Sequence, residues 1–176
     1  MKHVAKQDWM GCAVATAAML ADLTYEEVAA RPLLPDLART RRPRELRALL
    51  AGLTGSEWRV TTFWFRRPVL AHYSLPDWPV AVFLQDAPFR PRLGQWVVVQ
   101  RELVHDPGER TVYTVSKYPR RDWRIASLAR PRRPAAFAGE QACRRIDRMR
   151  QVLQMEMLSL AEPVAAADGG RDSAFS

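Results

Sequence analysis

The pattern of hydrophobic and polar positions predicts a helical first third of the chain. Residues 12–21 are almost entirely apolar and rich in alanine, which permits close packing on all sides and predicts a buried central helix. Thr24 and Glu27 have the spacing of a capping box and predict a short second helix over residues 25–30. A third helix is predicted over residues 44–53. Its apolar face consists of Leu46, Leu49, Leu50 and Leu53.

From residue 58 the pattern changes to the β-branched and aromatic content that is typical of strands. Strands are predicted over residues 58–65, 79–84, 96–100, 103–105, 111–115 and 123–127. The third and fourth of them form a hairpin around residues 100–102. Because helices come first and antiparallel strands follow, the order of elements predicts an α+β fold with two packed layers.

The last part of the chain has a different organisation. Two prolines bracket a cluster of arginines at residues 130–134, which predicts a domain boundary. Beyond it a long amphipathic helix is predicted over residues 138–161, with an apolar stripe at steps of three and four. The stripe consists of Ile146, Met149, Leu153, Met157 and Leu160. The predicted organisation is therefore a domain over 1–130, a linker and helix over 131–162, and a disordered tail over 163–176.

Composition adds a strong positive charge to this outline. The chain of 176 residues has a formal net charge of +8. Only Lys2, Lys6 and Lys117 are lysines, so arginine supplies nearly all of the positive charge. A basic surface attracts nucleic acid and other polyanions, although a GC-rich genome also produces an arginine-rich and alanine-rich chain. No nucleic-acid-binding motif is present, so nucleic acid stays an open partner that no motif supports.

The sequence predicts neither a membrane nor a cofactor as a partner. No apolar run reaches the roughly 20 residues of a membrane span, and the first residues lack the layout of a signal peptide. Cys12 and Cys143 could pair in principle, but we expect no lone disulfide in a chain that is not exported. The three histidines are scattered, and nothing has the spacing of metal ligands, so no metal site is predicted.

Residues 7–28 carry the first half of a recognisable motif. A glutamine, Gln7, precedes a cysteine that opens an alanine-rich helix, and Thr-Tyr-Glu-Glu-Val follows at residues 24–28. The segment resembles the nucleophile region of bacteriocin-leader-processing peptidases, which are papain-fold cysteine peptidases. The chemistry agrees, because the positive end of a helix dipole favours the thiolate of Cys12. The amide of Gln7 and the backbone N–H of Cys12 can donate to an oxyanion.

Residues 94–107 carry the second half of the same resemblance. Gly-Gln-Trp-Val-Val-Val at residues 94–99 is followed by Val-His-Asp-Pro at residues 104–107, where family members look like His-Trp-Val-Val-Val and Asp-Pro. The resemblance implies that Asp106 is the acid that orients the catalytic histidine, and that Gln95 occupies the position of that histidine. We expect Trp9, Gly11 and Trp96 to line the binding cleft.

Gln95 is the departure from the family that changes the predicted function. A glutamine takes no proton near neutral pH, so the 10²–10⁴-fold contribution of a general acid–base is missing, and an unassisted thiol stays protonated below about pH 8.5. Gln7 also lies one residue closer to Cys12 than is usual in the family, and Ala13 stands where a glycine is common. The sequence therefore predicts a degenerate papain-like cysteine peptidase, a pseudoenzyme that is retained to bind a peptide or a protein in the bacterial cytoplasm.

Two other hypotheses stay open. An active thiol peptidase would need another general base, and His3, His72 and His105 are the candidates that the sequence offers. A structural or assembly component, such as part of a phage particle, would act through the C-terminal helix. That helix would then join the chain to copies of itself or to another protein, and the location would be the virion.

Overall fold

The computed structural model describes residues 1–8, 11–31, 42–86 and 94–161, and side chains 136, 138, 140, 141, 144 and 156–161 lie outside that description. The helices of this part of the chain are α1 Cys12–Ala21, α2 Tyr25–Ala29, α3 Pro43–Thr54 and α4 Pro134–Ala161. The strands are β1 Trp58–Thr62, β2 Val80–Gln85, β3 Gly94–Gln100, β4 Leu103–His105, β5 Tyr113–Thr114 and β6 Arg124–Pro131.

The six strands form one sheet in the order β1-β6-β2-β3-β4-β5. Every neighbouring pair of strands is antiparallel. The last strand in the chain, β6, lies between β1 and β2, so the first and last strands are neighbours in the sheet. The prediction of an α+β fold, with N-terminal helices packed on an antiparallel sheet and a further helix at the C-terminal side, is confirmed.

Helix α1 is the centre of the helical layer. All ten of its residues are buried, and it packs against α2, α3 and β3. Its alanine-rich sequence explains this position, because small side chains let neighbouring elements approach the helix from every side. The predicted bounds of this helix and its buried character are confirmed.

Local sequence signals explain the ends of α2 and α3. Thr24 and Glu27 form the predicted capping box at the start of α2. Helix α3 begins at Pro43, whose missing N–H is harmless in the first turn. It ends at Gly55, which has a φ of 67° and so adopts the left-handed conformation that glycine tolerates best.

Of the six predicted strands, β4 alone has the predicted bounds; β2 and β3 differ by one or two residues at an end, and the differences are larger in β1, β5 and β6. β1 ends at Thr62 and not at residue 65, because the chain leaves the sheet after Phe63 and turns its next aromatic side chains into water. β5 has only two residues where five were predicted. β6 runs to Pro131, which pairs with Trp58, so the strand enters the segment that was predicted as a boundary.

The sheet separates two apolar cores by the alternation of side chains along its strands. Trp96 and Val98 of β3 belong to the core beneath the helices, which also contains Cys12. Val97 and Val99 belong to the core on the opposite face, together with Tyr118. The two faces of β3 therefore lie in different surroundings, which decides where each side chain at its start is placed.

Helix α4 begins at Pro134, four residues before the predicted start. Phe137 in its first turn is buried and makes an edge contact with Trp58, with ring centroids 5.2 Å apart. Contacts within the chain define two units, Met1–Gln141 and Ala142–Ser176. The predicted domain boundaries stay a prediction, and the predicted disordered tail, 163–176, lies outside the described residues.

The second unit is described as a helix over residues 142–161. Large apolar side chains are exposed along it, namely Ile146, Met149, Val152, Leu153 and Met155. Met157 and Leu160 of the predicted stripe lie outside the described side chains. Among the described residues, no helix is both long enough and apolar enough to span a membrane.

Candidate functional site

Cys12 is the first residue of α1 and is only 8% exposed. Gly11 precedes it as the N-cap residue, and no side chain caps this helix end. A Cβ atom on Gly11 would overlap the hydroxyl of Tyr25. Glycine is therefore required beside the thiol because the ring of Tyr25 covers the entry to the helix.

The Tyr25 hydroxyl connects α2 to the segment that precedes α1. It donates a hydrogen bond of 2.8 Å to Oδ2 of Asp8. Burial, followed by the carboxylate of Asp8, raises the pKa of Tyr25 well above its ordinary value of 10, so the hydroxyl stays a donor at neutral pH.

Gln7 is exposed, and its amide donates a hydrogen bond to the carboxylate of Glu26 on α2. A backbone hydrogen bond, followed by the bond from Gln7, lowers the pKa of Glu26, so the acceptor is ionised at neutral pH. One amide hydrogen of Gln7 is thus directed at α2. The predicted role of Gln7 as an oxyanion donor stays a prediction.

Asp106 follows β4 directly, and its side chain is fully buried. Oδ1 accepts hydrogen bonds from Nε2 of Gln95 and from the backbone N–H of Gly108, the latter at 2.7 Å. Oδ2 accepts from the Tyr118 hydroxyl at 2.6 Å and from Nη1 of Arg120 at 2.7 Å. A buried carboxylate is tolerated when donors and a cation compensate its charge, and here four donors do so.

Tyr118 and Arg120 are site residues that the sequence did not predict. Burial, followed by the charge of Asp106, raises the pKa of Tyr118 far above 10, so this residue too stays a donor. Nη1 of Arg120 also contacts Glu109 at 3.0 Å, and its guanidinium lies over the ring of Trp123. The only signal for these residues in the sequence is indirect, because a buried acid requires a cation that no motif specifies.

Gln95 is the second residue of β3 and pairs with Leu84. Strand alternation places its side chain on the face of Leu84 and Val97, opposite to Trp96. A Cβ atom on Gly108 would lie 2.9 Å from Nε2 of Gln95 and 3.2 Å from Oδ1 of Asp106. The glycine at position 108 therefore makes room for the hydrogen bond between the two side chains.

The N-terminal segment connects this cluster to α1. The backbone N–H of Lys6 donates to the carbonyl oxygen of Pro107 at 2.9 Å, and Nε2 of His3 lies 2.9 Å from the carbonyl oxygen of Glu109. The structure thus brings Gln95 together with Asp106, and it places Cys12 in one core with Trp96. The structure does not show the predicted meeting of the Cys12 thiol with the Gln95 amide, because the Gln95 side chain points to the face of β3 opposite to Trp96 and Cys12 lies in the core on the Trp96 face. Trp9 lies outside the described residues.

The histidines do not join the Asp106 cluster. His105 pairs with Val98 and points to the helix side of the sheet, and its ring lies 6.1 Å from that of His3. Burial, followed by the charges of His3 and of the N-terminal amine, lowers the pKa of His105 to about 4. His105 is therefore neutral at pH 7, and it cannot take the place of a base beside Asp106. His72 is exposed at the end of a short 3-10 helix, Leu70–His72.

A cavity of about 720 Å³ lies apart from Cys12 and from the Gln95–Asp106 cluster. It is lined by residues 71–75, 77, 101–102, 115–116 and 121–122, most of which are polar or charged, such as His72, Asp77 and Arg121. None of the predicted site residues lines it. Among the described residues, no group of three or more metal-ligating side chains could hold a metal ion.

Comparison with known proteins adds no relative. The chain matches no protein-family model and no curated protein.

Proposed function

We propose that the chain is a papain-like cysteine-peptidase-type domain that has lost hydrolysis and binds an extended peptide or a segment of a partner protein. The observation that supports this most strongly is the hydrogen bond from Gln95 to the buried carboxylate of Asp106. In a working peptidase of this kind, a histidine would make that bond with one ring nitrogen and deprotonate the thiol with the other.

The chemistry of Gln95 explains why hydrolysis is lost and the fold is kept. Its amide donates to Asp106 as an imidazole N–H would, so the buried charge remains satisfied. The amide oxygen accepts hydrogen bonds but takes no proton at neutral pH, so no group deprotonates Cys12 or protonates a leaving amine. That oxygen can still accept a backbone N–H from a bound peptide.

Labelling and cleavage experiments with the full chain test both parts of the proposal. Unfolded casein serves as a generic extended peptide, and iodoacetamide reports the reactivity of Cys12 in a Cys143→Ser variant that retains one thiol. We expect casein to remain intact and to slow the labelling of Cys12. In the matched Cys12→Ser variant, labelling of the exposed Cys143 should be unaffected by casein.

The two results that contradict the proposal are distinct. Cleavage of casein that disappears in the Cys12→Ser variant would show an active peptidase. Labelling of Cys12 at the same rate with and without casein would remove the binding function. A peptidyl epoxide gives a second readout, because an active site would react with it at Cys12 faster than at Cys143, and we expect the reverse order.

A second candidate function, in assembly, is favoured by the exposed apolar side chains of α4. Met149 and Leu153 are 61% and 55% exposed, and methionine is common at adaptable binding surfaces. Light scattering of the full chain would report self-association. Replacement of both residues by glutamate should then produce a monomer, whereas glutamate at the exposed positions Ala142 and Gln151 should not.

A further inference from the structure

The loop after β1 holds two large aromatic side chains in water. Trp64 is 76% exposed and Phe65 is 99% exposed. Arg66, the next residue, is exposed as well. Two neighbouring aromatic rings without cover are unusual, because burial of each would contribute about 2 kcal/mol or more. Their position therefore points to a contact surface if the loop that carries them is fixed.

Hydrogen bonds fix this loop on both sides of the aromatic pair. The backbone N–H of Phe63 donates to the carbonyl oxygen of Ala126 at 2.9 Å. Nε of Arg67 donates to the carbonyl oxygen of Phe63 at 3.2 Å, and Nη1 of Arg67 donates to Gln85 at 2.6 Å. Arg124 donates in turn to the carbonyl oxygen of Arg67 at 3.0 Å. Residues 64–66 thus form the tip of a loop whose two ends, Phe63 and Arg67, are hydrogen-bonded to each other and to the sheet.

Positive charge extends along the same edge of the sheet. β1 is an edge strand, and Arg59 lies directly opposite Arg130 of β6. Both side chains are exposed, and like charges directly opposite each other destabilise a sheet. The nearby Glu57 is bound by Arg132 through both carboxylate oxygens. Arg59 acts electrostatically on Glu57 as well, but the three arginines outnumber this one carboxylate, so the edge keeps an excess of positive charge that favours an anionic partner.

We propose that this surface, defined by Arg59, Trp64, Phe65, Arg66 and Arg130 and called here the β1 edge surface, binds single-stranded nucleic acid. Exposed aromatic rings stack on bases without regard to sequence, and flanking cations contact the phosphates. Guanidinium groups suit this task because they bind phosphate oxygens in pairs and also stack on bases. The function is separate from peptide binding at the Gln95–Asp106 cluster.

The linear arrangement favours a nucleic acid over a lipid bilayer. At about 3.3 Å per residue, Arg59 lies about 10 Å from Thr62 at the end of β1, and the aromatic tip follows. A row that has an arginine pair at one end and an aromatic pair followed by Arg66 at the other end suits a linear polyanion.

Fluorescence anisotropy of a labelled oligothymidylate of about twelve nucleotides tests the proposal with the full chain, between about 50 and 200 mM salt. One variant combines Trp64→Ala with Phe65→Ala, and another combines Arg59→Ala with Arg130→Ala. The matched controls replace exposed residues elsewhere. Leu103→Ala with Val112→Ala removes apolar area, and Arg110→Ala with Lys117→Ala removes two charges.

We expect the aromatic variant to bind the oligonucleotide at least about tenfold more weakly. The affinity of the arginine variant should depend less steeply on salt. The magnitude of the slope of log affinity against log salt concentration should fall by about 1.4, because two phosphate contacts are lost. Each control should change affinity by less than about threefold. Circular dichroism verifies that all four variants are folded.

Three results would overturn the proposal. The wild-type chain could fail to bind at the lowest salt, or the charge control could weaken binding as much as the arginine variant does, which would indicate net charge alone. Vesicles rich in phosphatidylserine could also bind in a manner that depends on Trp64 and Phe65 while the oligonucleotide does not. That result would assign the surface to a membrane.

Discussion

At the scale of single residues, Asp106 is the point where the candidate site and the stability of the fold meet. Its buried carboxylate receives hydrogen bonds from Gln95, Gly108, Tyr118 and Arg120. The motif predicted the pair of Gln95 and Asp106 from the sequence. Tyr118 and Arg120 follow Asp106 by 12 and 14 residues, and only the folded chain shows that they face it.

Asp106→Asn should lower the free energy of unfolding by about 2–3 kcal/mol. The variant removes the buried anion, so Arg120 keeps Glu109 as its ion-pair partner but loses Asp106. The NH2 group of the asparagine side chain would also face hydrogen-bond donors where a carboxylate oxygen now accepts from them. Chemical denaturation near neutral pH measures the change. Glu109→Gln is the control, since Glu109 is partly exposed and should contribute less than about 1 kcal/mol. Equal effects of the two variants would show that Asp106 has no special role.

His105 should make the fold less stable in mild acid. Its pKa is about 4 in the folded chain, against about 6.5 in an unfolded chain. Between about pH 6.5 and about pH 4, His105 is protonated in the unfolded chain and neutral in the folded chain. The free energy of unfolding therefore falls as the pH is lowered through this range. Over this window the loss is about 3 kcal/mol, and above it His105 contributes no pH dependence.

His105→Gln tests this prediction through denaturation at several pH values. The variant should lose about 3 kcal/mol less than the wild type between about pH 7 and pH 4. Comparison with the wild type cancels the carboxylates, such as Glu26 and Glu57, that also favour the folded state less in acid. The exposed His72→Gln is the control and should keep the wild-type profile. An unchanged profile in His105→Gln would contradict the assignment.

At the scale of elements, the sequence predicted the helices and strands whose pattern of apolar residues is compatible with one kind of secondary structure. The alanine-rich α1, the capping box of α2 and the hairpin of β3 and β4 all agree with the pattern. The end of β6 does not, because the strand was predicted to stop at Ser127 and continues to Pro131. Pro131 instead ends β6, and Pro134 opens α4 at a position where a missing N–H is tolerated. A proline in the sequence indicates that a helix or strand begins or ends nearby, but it does not indicate a domain boundary.

The first turn of α4 should contribute to the stability of the main domain. Phe137 is 1% exposed against Trp58, so Phe137→Ala should cost about 3–5 kcal/mol of unfolding free energy. Val152→Ala, at an exposed position of the same helix, should cost less than about 1 kcal/mol. For the same reason, removal of residues 142–176 should leave a cooperative thermal transition, whereas removal of residues 135–176 should lower its midpoint. Equal midpoints would place Phe137 outside the core.

At the scale of the whole molecule, three separate properties are combined in one basic chain. A helix-and-sheet domain carries the Gln95–Asp106 cluster, the edge of its sheet carries arginines and exposed aromatic rings, and the second unit carries exposed apolar side chains. The peptidase-type proposal depends on the first of these alone. Its central claim is that the cluster is a catalytic site in which a glutamine stands where a histidine belongs.

The most direct test restores that histidine. In a Cys143→Ser background, the rate of alkylation of Cys12 is measured against pH with and without Gln95→His, and Gln100→His at the other end of β3 is the control. The account predicts that Gln95→His shifts the midpoint of the profile by at least about one unit to lower pH, because a neighbouring imidazolium stabilises the thiolate. Gln100→His should leave the midpoint unchanged. Superimposable profiles for Gln95→His and the parent would mean that residue 95 and Cys12 do not share a site, and they would contradict the account.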